Sequence, residues 1–419
     1  MLNTKRAQGL LKNHFVNPPT NLSIDWNRPK TVASAFNVPK IIHYIWVGEN
    51  RIPDSGLRNI YRMAHVNCSK SFKEFKIIIW TDNTKRILDS MQNAEQSDDL
   101  ILSQLARNNK DDKIIIKHYS VLFKYSGNQN IADHKVKLYL EGLVIRNLYG
   151  PFRNYACASD ILRLFALNLG GIYLDVDVAV IDKIPESCLT SEYGISVYCK
   201  DGFLQNNFII AAPNDWIIKN LLMLICKQHE HVAIKTRYGD QCFSTDEQLN
   251  ETWHQQRSLQ IHIDSNGRKL NVRKISTMML TGPGLYFEAY SSIYSNYQEQ
   301  WKHNIEALEV ARNALIESRK SRQLTFSEEK SLSSLSSYLK STRLLEEEEF
   351  YSRYWLDYDI FNNHEAPQEY AKLPEAHKPF FAHGVVKGVA PSGDAGDKLD
   401  SWCKVDGHAK HHDTSDIPI

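Results

Sequence analysis

Apolar runs of strand length alternate with stretches of helical periodicity along the first half of the chain. Lys40-Ile-Ile-His-Tyr-Ile-Trp-Val47 reads as a strand, closed by Gly48. A helical stretch near 55–67 follows, and then a second strand, Phe75-Lys-Ile-Ile-Ile-Trp80, closed by Thr81-Asp-Asn. Strand, helix and strand with short polar joints predict a parallel βαβ unit. Lys113-Ile-Ile-Ile-Lys-His-Tyr119 is a third strand, and the helical spacing from Val136 to Ile145 reads as a helical insertion near 120–150. Tyr155 to Leu169 predicts a helix that Ser159 or Asp160 can cap and that Gly170-Gly171 ends. Ile172-Tyr-Leu174 then forms a short buried strand that delivers Asp175 and Asp177. Phe208–Ala212 and Trp216–Lys227 read as a further strand and helix. From about 300 to 350 the chain turns rich in Glu, Lys, Ser and Leu at helical spacing, a helical hairpin with breaks near Thr325 and Ser331. The class is α/β, a mostly parallel central sheet with added helices.

Composition changes this picture little. At 419 residues, with 20 Tyr, 16 Phe and 8 Trp, the chain can bury a large core. Lys plus Arg (50) balance Asp plus Glu (49), which removes the basic field a nucleic-acid binder shows. The seven Cys are odd in number and form no CxxC pair, so neither a disulfide framework nor a structural zinc site is expected, and a reducing compartment fits. The first residues contain no long apolar segment of a secretory signal, and no run reaches the roughly 18 apolar residues of a transmembrane helix. Glu346–Glu349 is a solvated charge run, and His408, His411 and His412 belong to a polar tail.

The candidate chemistry gathers between 155 and 178. Strand alternation predicts that Asp175 and Asp177 share a face with Tyr173. Two carboxylates so close repel unless a cation lies beside them, and an oxygen-only site suits Mg²⁺ or Mn²⁺ carrying diphosphate oxygens. Asp160 and Arg163 lie at i and i+3, one face of a helix. Alone they are an ordinary ion pair; beside the Asp pair they are a grip for phosphate and sugar hydroxyls. Trp46 ends the first strand, where parallel sheets bind ligands, and either stacks on a base or packs in the core.

Ile-His-Tyr-Ile-Trp-Val-Gly (42–48), Ala-Ser-Asp-Ile-Leu-Arg (158–163), Gly-Gly-Ile-Tyr-Leu-Asp-Val-Asp (170–177), Thr-Gly-Pro-Gly (281–284) and Ser401-Trp402 together resemble the DxD glycosyltransferases. The likeness runs to the catalytic domain of the large clostridial glucosylating toxins and related bacterial effectors. It implies a GT-A, Rossmann-like core. A nucleotide-sugar site would include Trp46, Val47, Asp160, Arg163, Tyr173, Asp175, Gln205, Asn206, Asn207, Ser401 and Trp402. Trp46 would stack on uracil, Asp160 would hold ribose and sugar hydroxyls, and Arg163 would meet sugar and phosphate. Asp177 would ligate the metal directly and Asp175 through water, with Asp400 (or Asp397) and Ser401 completing the shell. Ser401 and Trp402 match a C-terminal lid, although here they are adjacent, where the toxins place one residue between them.

The resemblance also divides the chain into a 1–38 arm, a 39–298 catalytic core, a 299–350 helical segment for acceptor recognition or packing, and a 351–419 completion with the lid. It implies a retaining hexosyltransferase using UDP-glucose, with UDP-GlcNAc next, since the side chains from Leu204 to Asn206 are bulky. The acceptor would be a host regulatory protein, reached by export without a cleavable signal; otherwise the enzyme would work in the bacterial cytoplasm. The alternatives are a transferase of cell-surface polysaccharide synthesis, and a phosphatase of the haloacid-dehalogenase type, whose nucleophile strand Leu174-Asp-Val-Asp-Val-Ala179 resembles.

Overall fold

The structure, a computed structural model, describes residues 19, 21–27, 36–68, 75–108, 113–125, 134–149, 154–180, 183–184, 186–191, 194–200, 203–232, 234–235, 242–243, 277, 280–346, 355–356 and 381–383. Its centre is a seven-stranded sheet. In chain order the strands are β1 (Ile41–Trp46), β2 (Lys76–Thr81), β3 (Ile114–His118), β4 (Gly171–Leu174), β5 (Ile195–Lys200), β6 (Phe203–Ala211) and β7 (Trp355–Leu356). Across the sheet they run β7-β5-β6-β4-β1-β2-β3. β3, β2, β1 and β4 are mutually parallel, β6 is antiparallel to both β4 and β5, and β7 lies parallel to β5. The mixed but mostly parallel sheet agrees with the α/β expectation.

Eight helices accompany these strands among the described residues: α1 (Asp54–Asn67), α2 (Thr84–Glu95), α3 (Leu100–Asn108), α4 (His134–Tyr149), α5 (Tyr155–Leu167), α6 (Trp216–Val232), α7 (Pro283–Ser321) and α8 (Phe326–Ser341). Because both faces of the sheet are covered, its strands read as nearly continuous apolar runs. Alternation still divides them. Ile42, Tyr44, Ile77, Ile79, Ile172, Leu174, Phe208 and Ile210 pack on the α1–α3 side. Ile45, Ile78, Trp80, Tyr173, Ile209 and Ala211 pack on the side of α4, α5, α6 and the first turns of α7.

One buried polar residue joins these layers. His43 Nδ1 accepts from Trp80 Nε1 at 3.1 Å, which leaves Nε2 to donate to the Gly170 carbonyl, also at 3.1 Å. Burial lowers the pKa of His43 to about 4, despite the bond to Gly170, so the ring is neutral. The turn it holds needs its glycines. Gly170 and Gly171 have φ of +82° and +128°, and a Cβ on Gly171 would come within 2.5 Å of the Ile41 carbonyl.

Five local expectations change. The cap of α5 is Asn154, whose side chain accepts from Cys157 N at 3.1 Å; Ser159 and Asp160 lie inside the helix, since the chain turns helical as soon as a side-chain acceptor is in place. α5 is also buried on nearly every face rather than on one. β4 ends at Leu174, and Val178 N donates to the Asp175 carbonyl at 3.0 Å, so Asp175 to Val178 form a turn. Strand alternation therefore does not relate Asp175 to Asp177. In the hairpin, the break falls at 322–325, where Thr325 and Glu328 form a capping box, whereas Ser331 lies within α8. The hairpin's first helix begins at Pro283, so the 298/299 boundary falls inside a continuous helix.

Candidate active site

The chain leaves β1 towards β2 on one side, while β4 flanks β1 on the other. Such a reversal opens a crevice at the carboxyl ends of the strands, where α/β sheets bind ligands. Trp46 and Val47 stand at the end of β1, and Asp175 follows the end of β4. Gly48, with φ +108°, packs against Tyr155 at the start of α5, and its N–H donates to Asp82 Oδ1 at 3.1 Å, which ties the end of β2 to the same edge.

α5 carries Asp160 and Arg163 to this edge, only 4% and 2% exposed. Arg163 Nη2 lies 2.8 Å from Asp160 Oδ1 and 3.5 Å from Asp175 Oδ1. Arg163 Nη1 donates to the Asn206 carbonyl, and its guanidinium lies over the Tyr173 ring, 4.4 Å from the centroid. The Tyr173 hydroxyl donates to Asp175 Oδ1. Asp160 is held from three sides, because Asn206 Nδ2 donates to Oδ1 at 3.0 Å and Thr281 Oγ1 to Oδ2 at 2.9 Å. Tyr173 thus lies with Asp175, as expected, while the helix pair and the aspartate after β4 form one ion cluster.

Burial pushes Asp160 up to about 6, against the opposing pull of Arg163. Burial works against the charge of Arg163 too, yet Tyr173, Asp160 and Asp175 around it raise its pKa further. Burial likewise raises Tyr173, so its hydroxyl is a neutral donor. The result is a cation fixed in place, with its carboxylates on one side and solvent reached through Asp175, whose side chain is 29% exposed.

β6 supplies the far wall. Val197 of β5 pairs with Ile209, but the next residue, Tyr198, pairs with Gln205, so Asn206, Asn207 and Phe208 have no partner on β5. A bulge of this kind re-aims side chains beside functional sites. Here it lets Asn206 reach Asp160, while the Asn207 carbonyl accepts from Asp175 N at 2.9 Å. Gln205 is partly exposed beside them. Trp46 is partly buried and its indole N–H donates to the Asn50 carbonyl at 2.9 Å.

The residues fit a divalent ion. Asp175 and Asp177 offer hard carboxylate oxygens in one partly exposed turn, the donor set of Mg²⁺ or Mn²⁺ that retains water and phosphate ligands. Among the described residues no group of three or more His, Cys, Asp or Glu gathers into a complete cage. Asp397, Asp400, Ser401 and Trp402 lie outside the described residues, as do His408, His411 and His412. Cys68, Cys157, Cys188 and Cys226 are buried and form no disulfide among the described residues.

Two residues of this cluster had no assigned role in the sequence, Thr281 and Tyr286. Thr281 belongs to the Thr-Gly-Pro-Gly motif, whose Gly282 caps α7 and whose Pro283 opens it. That helix-start signal was visible; the contact with Asp160, across 121 residues, was not.

Residues 62–194 match the family described as glycosyltransferase sugar-binding region containing DXD motif. The chain carries a region similar to the DXD sugar-binding region of glycosyltransferases. The matched region holds Asp160, Arg163, Tyr173 and the Asp175–Asp177 turn, the DXD itself. Solved structures similar to the chain include the PaToxG glycosyltransferase, 19% identical over 82% of this chain and 97% of that one, with a TM-score of 0.39. The UDP-bound glycosyltransferase domain of the YGT toxin is 12% identical over 61% of this chain and 77% of its own, with a TM-score of 0.39. The catalytic domain of Clostridium novyi alpha-toxin is 15% identical over 69% and 76%, with a TM-score of 0.34. No curated protein sequence matches the chain. Among the described residues, no helix is long and apolar enough to cross a membrane.

Proposed function

We propose that this protein is a glycosyltransferase, a metal-dependent, retaining hexosyltransferase that uses UDP-glucose, with UDP-GlcNAc next, and modifies a side chain of a host protein. The observation that carries the donor site is the buried Asp160–Arg163–Asp175 cluster at the carboxyl ends of β1 and β4. A cation fixed by two carboxylates, beside a partly exposed Asp turn, is suited to a diphosphate and a bound divalent ion. Mn²⁺ or Mg²⁺ would be held by Asp177 directly and by Asp175, with Asp400 and Ser401 from the tail. When bound, the ion neutralises the charge that builds on the departing diphosphate.

The chain's own residues then divide the work. Trp46 stacks on uracil, its N–H already committed to Asn50 and its ring partly exposed. Val47 flanks the nucleotide beside it. Asp160 accepts from sugar and ribose hydroxyls, and Gln205, Asn206 and Asn207 line the hexose. Arg163 and Trp402 stabilise the leaving diphosphate while the bond from the anomeric carbon to the phosphate oxygen breaks. The acceptor oxygen forms the new bond on that same face and passes its proton to the departing phosphate oxygen, which retains configuration. Ser401 and Trp402 close over the donor and exclude water. The 299–350 hairpin recognises the acceptor, since added segments set specificity on a shared scaffold.

Hydrolysis of UDP-glucose, UDP-GlcNAc and GDP-mannose, measured with Mn²⁺ and again with a chelator, tests the donor. Metal-dependent turnover, fastest with UDP-glucose, is expected. No turnover and no metal-dependent binding of any nucleotide sugar would remove the proposal. Labelled donor incubated with host lysate should mark a protein band; label found only in glycan would favour the polysaccharide alternative.

A further inference from the structure

We infer that the Tyr286 hydroxyl is a donor-binding group, held in reserve for a hydroxyl or ring oxygen of the hexose; this rests on the donor site proposed above. Tyr286 lies in the first turn of α7, one turn beyond Thr281, and is 1% exposed. Thr281 spends its hydroxyl on Asp160, but the Tyr286 hydroxyl has no hydrogen-bond partner among the described residues. It is nevertheless close enough to Arg163, Asp160 and Asp175 to feel all three charges.

A buried hydroxyl without a partner is destabilising, and a phenylalanine would fill the same space without that penalty. A group kept under such conditions at the wall of a site is accounted for when something else completes its bonding. Two further atoms in residues that touch Asp160 or Asp175 are in the same state: Arg163 Nε and Asn207 Oδ1 are buried and have no partner among the described residues. The three offer one neutral donor, one cationic donor and one acceptor. The charge of Arg163 is already offset by Asp160 and Asp175. What is left over is the bonding pattern of a polyhydroxylated ring, which both donates and accepts, rather than that of another anion. Tyr286, uncharged, fits the sugar rather than the diphosphate.

The test is Tyr286→Phe, with Tyr44→Phe as control. Tyr44 also has a buried hydroxyl with no partner among the described residues, but on the opposite, α1–α3 face of the sheet. Thermal midpoints, calorimetric affinities for UDP and for UDP-glucose with Mn²⁺, and kcat/KM for UDP-glucose hydrolysis are measured on the full chain. Both variants should melt at or above the wild-type midpoint. Tyr286→Phe should bind UDP within about twofold of wild type, but UDP-glucose about 5- to 10-fold more weakly, with kcat/KM falling as much, the loss of one neutral hydrogen bond. Tyr44→Phe should change neither affinity. Equal UDP-glucose affinity in Tyr286→Phe and wild type would overturn the inference. So would a lowered midpoint with UDP and UDP-glucose weakened alike, because that marks a purely structural tyrosine. Wild type that binds neither nucleotide would instead overturn the donor site itself.

Discussion

Two arginine–carboxylate pairs in this molecule use the same chemistry in opposite surroundings. Arg163 and Asp160 are buried in α5, their side chains 3% and 5% exposed, whereas Arg322 and Glu328 sit on the surface where α7 turns into α8. The outer pair belongs to a helix cap: Glu328 also accepts from Thr325 N at 2.8 Å, and its carboxyl is lowered to about 2, chiefly by Arg322. Water would solvate both partners if they parted, so such a pair adds little. The inner pair has given up water altogether and recovers only part of that loss from its partners. A fold seeking stability alone would replace it with apolar residues. Its presence in the middle of an otherwise apolar helix accords with the proposed donor site, whereas the outer pair marks where a helix begins.

The comparison breaks most visibly through the third carboxylate. The double change Asp175→Asn and Asp177→Asn should abolish metal-dependent sugar transfer while leaving the circular dichroism spectrum and melting midpoint near wild type, since the turn is partly exposed. Full activity in the double variant would sever the DXD turn from catalysis. Arg163→Ala comes next. It strands Asp160 as a buried, unpaired charge and should cost about 3–5 kcal/mol in denaturant unfolding. A loss below about 1 kcal/mol would mean that the inner pair is as dispensable as an outer one.

A third buried carboxylate sharpens the contrast through pH. Asp215 caps α6, with Oδ1 accepting from Ile217 N and Ile218 N, but burial pushes its pKa up to about 7, against those bonds. A carboxyl raised in the folded state contributes stability that is complete below its unfolded value and is lost as pH rises through about 7. Between pH 5 and pH 8 the wild type should therefore lose about 2 kcal/mol that Asp215→Asn does not lose, as read from urea midpoints at both pH values. Parallel curves would show that Asp215 is ionised throughout. Glu328 slopes the other way, its contribution present above its unfolded value and lost as pH falls through about 2. The smallest effects belong to the surface: Thr325→Ala should lower stability by about 1 kcal/mol as a lost cap. Arg322→Ala should leave the unfolding midpoint unchanged.

What could be read beforehand follows from how local each signal is. β1 and β2 were legible because runs of four consecutive apolar or aromatic positions, closed by Gly48 or by Thr81-Asp82-Asn83, can be little else, and α7 and α8 announced themselves by spacing. The Asp160–Arg163 pairing is a matter of three residues on one helix and was also visible. That the pair stands beside the Asp pair was expected as well, but its direct contact with Asp175 was not legible, since it depends on how α5 crosses β4. β5 was missed because Ser196, Tyr198 and Lys200 interrupt its apolar positions. The bulge at 206–208 was missed because register belongs to two strands at once and leaves no trace in either alone. Asn154 lost to Ser159 and Asp160 as the expected cap because all three types are good caps, and only tertiary position selects among them.

The length of α7 has a mechanical consequence. Its 39 residues amount to a rod of about 58 Å at the helical rise. One end is fixed beside Asp160, with Leu285, Tyr286, Ala289, Tyr290 and Ile293 buried, while the rest projects past the core towards α8. Tilting such a rod by about 5° at its root sweeps the far end by about 5 Å. Leverage runs both ways: a load on the tip is returned to the root reduced in distance and multiplied in force, against the turn that holds Thr281 on Asp160.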